Sequence, residues 1–87
     1  RPLSTTSLAQ LAAQLEAAPA DIGARLAYGK ALIAAGQREE GLEQLLRAAQ
    51  QDLHHDGDAP RKALIDAFTA LGWEDPLTLE YQRRLSM

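Results

Sequence analysis

The chain contains neither cysteine nor valine. Without cysteine, these 87 residues hold no disulfide framework, no thiolate zinc site and no thiol redox chemistry. Three Ile and four Thr are its only β-branched residues, and aromatics make up 5% of it. Sheets favour those side chains, so the composition argues against a β-sandwich or barrel. The longest unbroken apolar run, Ala31 to Ala35, is far below the ~20 residues of a membrane span. No signal-peptide hydrophobic stretch follows Arg1. Nine Lys and Arg against twelve Asp and Glu leave a net charge of −3, the wrong sign for a general nucleic-acid surface. What is abundant is Ala and Leu, which lead the helix scale and supply most of the 46% hydrophobic residues. That apolar content suffices for a core. The expectation is a single, all-α domain.

Caps and periodicity predict helices near 4–18, 21–35, 38–52, 59–71 and 76–86. In the first, Leu8, Leu11, Ala12 and Leu15 recur at i, i+3, i+4 and i+7, and Pro19 ends it. Asp21 is the expected N-cap of the second, whose face carries Ile22, Leu26, Gly29 and Ile33. Gly36 supplies the left-handed residue that closes it. The third has Glu39 and Glu40 in its first turn, where the helix dipole favours them, and a stripe of Leu42, Leu45, Leu46 and Ala49. Residues 53–57 read as a loop, Asp58 as the cap of the fourth helix, and Pro60 as a first-turn proline. Leu64, Ile65, Phe68 and Leu71 form its apolar face. Gly72 ends it, with Trp73 placed to fold back on Phe68 in a Schellman ending. Asp75-Pro76 starts the fifth helix, striped by Leu77, Tyr81 and Leu85. The short links predict neighbouring helices packed as antiparallel hairpins.

Gly36 and Gly72 lie 36 residues apart, and at that shift Leu32 overlies Phe68, Ala35 overlies Leu71 and Leu45 overlies Tyr81. Two helices per mid-thirties period is a solenoid signature. Gly29, Leu32, Gly36, Gly41, Leu45 and Ala48 resemble the tetratricopeptide pattern, in which small residues let paired helices approach closely. The fold this implies is a tetratricopeptide-like solenoid of αα-hairpins. Arg25 departs from the pattern, standing where a large apolar residue is usual, and Leu53 replaces a closing proline. In the second unit Leu77 and Arg84 occupy small-residue positions.

A narrower resemblance spans nearly the whole chain. Leu15 to Asp21, Ala24-Arg25-Leu26, Ala35 to Glu40, Ala59 to Leu64, Phe68, Leu71-Gly72, Asp75-Pro76 and Arg83 to Ser86 are similar, in order and spacing, to the C-terminal domain of bacterial thioredoxin-like co-chaperones, the YbbN (CnoX) family. The resemblance implies a non-catalytic, cytoplasmic protein-binding domain without cofactor, following an N-terminal thioredoxin-like domain. Residues 1–87 would be the second part alone, and a start at Arg1-Pro2 fits such a fragment. The implied partners are unfolded clients and the chaperonin GroEL. The alternative is a structural module of a generic tetratricopeptide protein that self-associates through its unfinished ends. Absence of the preceding domain would also expose the surface that Leu3, Leu8 or Leu11 normally meets.

Candidate chemistry is sparse. Asp52, His54, His55, Asp56 and Asp58 do not make a calcium loop, because the twelfth place holds Ala63 instead of a bidentate glutamate. They also lack the helical His pair of a zinc site. Glu39, Glu40 and Glu43 read as a solvated face, with Glu43 paired to Arg47. Ser4 to Ser7 read as helix-start residues, and the segment from Leu8 to Arg25 imitates a DNA-binding helix-turn-helix without its turn glycine. Arg25 and Arg61 recur at the repeat period and read as structural, with Asp58 or Asp66 as the salt-bridge partner of Arg61. Lys30, Lys62 and Asp66 fall on the first-helix faces that line a tetratricopeptide groove, and are the expected protein contacts. Arg83 and Arg84, on the last helix away from its apolar stripe, join them. Trp73 and Tyr81 read as core.

Overall fold

A computed structural model describes the backbone of residues 3–86 and the side chains of residues 8–86. The readings of Leu3 and of the Ser4 to Ser7 side chains lie outside the described residues. Five helices follow one another: α1 (Leu3–Ala17), α2 (Ile22–Ala34), α3 (Arg38–Gln51), α4 (His55–Leu71) and α5 (Pro76–Ser86), with no strand among the described residues. The fold is all-α, as composition predicts. Helix α1 lies on α2, α2 pairs with α3, and α3 in turn supports α4 and α5.

The first hairpin is built on two glycines. A Cβ on Gly29 would sit 2.8 Å from Leu45 Cδ2 and 3.1 Å from the Gly41 carbonyl, and one on Gly41 would sit 2.8 Å from the Gly29 carbonyl. Only hydrogen fits between the two backbones, so α2 and α3 meet closely. The turn that joins them is a Schellman ending. Gly36 has φ +91, Gln37 N–H donates to the Leu32 carbonyl at 2.9 Å, and Gly36 N–H donates to that of Ile33 at 3.0 Å. The Asp21 carboxylate caps α2 by accepting from Ala24 N–H at 3.1 Å.

The second hairpin departs from expectation. Helix α5 lies against α3, and its backbone stays further from α4 than that of α3 does from α2. At the 36-residue shift, Ile65 and Leu77 stand where the first unit has Gly29 and Gly41, so the same approach is sterically closed. A short link alone does not make a tight hairpin. Gly72 closes α4 at φ +107 with one bond, its N–H to the Phe68 carbonyl at 2.8 Å, in place of the expected Schellman pair. Trp73 does meet Phe68, edge to face at 5.8 Å between centroids, but remains 48% exposed, so its assignment to the core is corrected. Asp75 caps α5 through Leu77 N–H at 2.9 Å.

The entry to α4 is also different. Asp56, Gly57 and Asp58 all take left-handed conformations (φ 50, 68 and 67), and the right-handed helix follows them. With that backbone Asp58 is no ordinary N-cap, since a cap residue takes an extended φ/ψ. Its carboxylate instead meets the His54 ring Nδ1.

The core runs through α2 to α5. Leu42, Leu45, Leu46 and Leu64 are fully buried, Phe68 and Tyr81 nearly so, and Leu26 and Leu32 complete it from α2. On α1, Leu8, Leu11, Ala12 and Leu15 are only half-buried.

Candidate functional site

The first helices of the two units, α2 and α4, form the walls of a groove of about 260 Å³, with α3 beneath. Ile33, Leu45, Ala63 and Ala67 give it an apolar lining, while Lys30 stands on one wall and Asp66 on the other. These two charges occupy equivalent positions one repeat apart. Both are exposed. The ion pairs among the described residues are Glu43 with Arg47, Glu43 with Arg84, and His54 with Asp58. Lys30 and Asp66 belong to none of them, so both charges face the groove without an ion-pair partner. Lys62, one residue round α4 from Arg61, is exposed but does not line the groove.

Arg25 serves the scaffold. Its guanidinium donates to Gln44 Oε1 at 2.7 Å and to the Pro19 carbonyl at 3.0 Å, tying the α1–α2 turn to α3. Arg61 forms neither of its expected salt bridges, with Asp58 or with Asp66.

The carboxylate of Glu43 is the other polar centre, and it is not the solvated residue its sequence context suggests. Tyr81 Oη donates to Glu43 Oε1 at 2.9 Å, while Arg84 donates to both oxygens at 3.0 and 3.2 Å. The expected Arg47 pair is also present, at 3.4 Å. The Arg84 guanidinium holds the Glu43 carboxyl below the usual carboxylate range, against the opposing pull of partial burial. Burial first, and then the bond to Glu43, raise the Tyr81 phenol. A carboxylate held in its charged form by two arginines and a phenol is poorly suited to general acid work, which needs a raised pKa. Arg84 also rests 4.7 Å from the Tyr81 ring centroid. It therefore packs against the stripe it was expected to avoid, whereas Arg83 is exposed. The visible signal for this centre was Arg84 at a small-residue position.

In the loop before α4, Asp52 accepts from His54 N–H at 3.2 Å, and the His54 ring holds the Asp58 carboxyl below its usual range. No group of three or more His, Cys, Asp or Glu side chains is arranged to hold a metal ion among the described residues. No helix among them is long and apolar enough to cross a membrane.

Compared with known families, the chain matches the tetratricopeptide repeat over residues 3–87. No curated protein and no solved structure matches it.

Proposed function

The chain belongs to the tetratricopeptide repeat family, and from that premise we propose that it is a non-catalytic protein-binding domain of a bacterial thioredoxin-like co-chaperone. Domains of this type generally mediate protein–protein interaction. The observation that carries the reading is the α2/α4 groove: an apolar lining of Ile33, Leu45, Ala63 and Ala67 with one cation and one anion facing it. A partner segment laid along it would bury apolar side chains on Ile33 and Ala67 and set charges of opposite sign against Lys30 and Asp66. The run from Leu15 to Asp21 and the later segments similar to the YbbN family support the narrower setting. In that setting the domain follows a thioredoxin-like domain in the bacterial cytoplasm and contacts unfolded clients and GroEL.

The test is capture of GroEL and of a heat-unfolded client by the chain, beside the Lys30→Ala/Asp66→Ala variant. Binding that falls at least fivefold in the variant, with an unchanged melting temperature, is the expected result. Capture of neither protein would remove the co-chaperone reading, and equal capture by the variant would remove the groove. Lys62→Ala and Arg83→Ala test, in the same assay, two further exposed cations expected as protein contacts.

Self-association is the second reading, favoured by Trp73 and Leu79, which are 48% and 52% exposed in the last link and the last helix.

A further inference from the structure

We infer that α5 is a displaceable helix, and that the face of α3 beneath it also accepts the α5 of a second copy of this chain. Three observations converge on α5. Its backbone packs on α3 and stands off from α4, the helix to which it is joined. The same α5 arriving from another chain would make the contacts with α3 equally well. Second, its polar attachment is concentrated on one acceptor. Tyr81 and Arg84 both donate to Glu43, so losing a single carboxylate releases the polar hold of α5 on α3. Third, the interface contains a defect: Thr78 is fully buried, and its Oγ1 has no hydrogen-bond partner. Opening returns that hydroxyl to water, so α5 leaves with less resistance than its apolar burial implies.

The link supplies the hinge. Gly72 has φ +107, a conformation few other residues adopt, and Trp73, which meets Phe68 edge to face, stays half-exposed. Straightened, Gly72 to Asp75 span ~14 Å, enough to carry α5 away from its own α3. Exchange of one identical element between two copies then produces a closed, symmetric dimer. A second copy is the occupant that fits best, because its Leu77, Tyr81, Arg84 and Leu85 match the site by identity.

Charge reversal distinguishes exchange from simple fraying. Glu43→Arg alone and Arg84→Glu alone each place like charges together in cis. Mixed, the two variants restore an Arg–Glu pair at both sites, but only when α5 crosses between chains. Equimolar mixing is expected to give a heterodimer by native mass spectrometry and a melting temperature above that of either variant alone; a mixture that melts as two independent variants overturns the inference. A second variant covers the case in which both reversals fail to fold. Deleting Trp73 and Glu74 shortens the link so that α5 cannot return to its own α3, while the site in a second copy stays open to it. That chain is expected to run as a dimer in sedimentation, and a monomer there overturns the inference independently.

Discussion

The hairpin of α2 and α3 and its successor of α4 and α5 share a 36-residue period and a closing glycine, yet they pack differently. In the first, Gly29 and Gly41 bring two backbones into contact, and Leu45 fills the space beside them. In the second, Ile65 and Leu77 close that approach, and α5 turns to α3 for its partner. Leu45 becomes Tyr81, and Ala48 becomes Arg84, and both carry hydrogen bonds to Glu43. The period fixes where helices begin and end, while residue size at two positions decides whether they pair. Backbone proximity holds the first unit, and side-chain chemistry holds the second.

The largest expected effect comes from removing the side chain the first hairpin is built round. Leu45→Ala leaves a void at a fully buried position and is expected to cost ~2–5 kcal/mol in chemical denaturation. An unchanged midpoint would show that α2 and α3 do not meet there. Gly41→Ala comes next. Alanine gains up to ~1 kcal/mol of helix propensity over glycine, but the added methyl meets the Gly29 carbonyl at 2.8 Å. A net loss of ~1–3 kcal/mol is expected from overpacking. At the equivalent position of the second unit, Leu77 is already large, and Leu77→Ile is expected to cost less than ~1.5 kcal/mol. Equal losses at the two sites would erase the comparison.

Glu43→Gln removes the charge that holds α5. With screening at this part-exposed site, the expected loss is ~1 kcal/mol at neutral pH. Because the folded state depresses the Glu43 pKa, the stabilisation is present above the ordinary carboxylate value and is lost as pH falls through the lower, folded value. Denaturation curves of the wild type and the variant should therefore converge in acid, and a constant gap across pH would exclude the charge as the cause. The smallest effect has the opposite sign. Thr78→Val replaces an unpartnered buried hydroxyl with a methyl and is expected to stabilise by up to ~1 kcal/mol. A clear loss would reveal a hydrogen bond to Thr78.

Much of this was legible in the sequence, because caps and periodicity are local signals. Asp21, Gly36, Asp75 and the Leu42, Leu45, Leu46 stripe sit in the roles their spacing predicts. The α2/α4 groove was legible in part through the repeat: Lys30 and Asp66 line it, whereas Lys62, expected beside them, does not. What local patterns do not contain is contact between distant segments. Glu43 looks solvated on its own helix and becomes half-buried only when Tyr81 and Arg84 arrive from α5. Arg25 looked like a misfit in the repeat until Gln44 and the Pro19 carbonyl were placed beside it. The left-handed run at Asp56 to Asp58 was hidden for another reason. Asp-Gly-Asp marks a turn, but does not specify three successive residues at positive φ.

The two units are held by different means, and amide hydrogen exchange under native conditions tests this residue by residue. The amides of Tyr81 to Leu85 are expected to exchange through a local opening of α5, at least about tenfold faster than those of Leu42 to Ala49, and faster again in Glu43→Gln while α3 is unaffected. Uniform protection across α3 and α5, with Glu43→Gln raising exchange in both alike, would show one cooperative unit and contradict it.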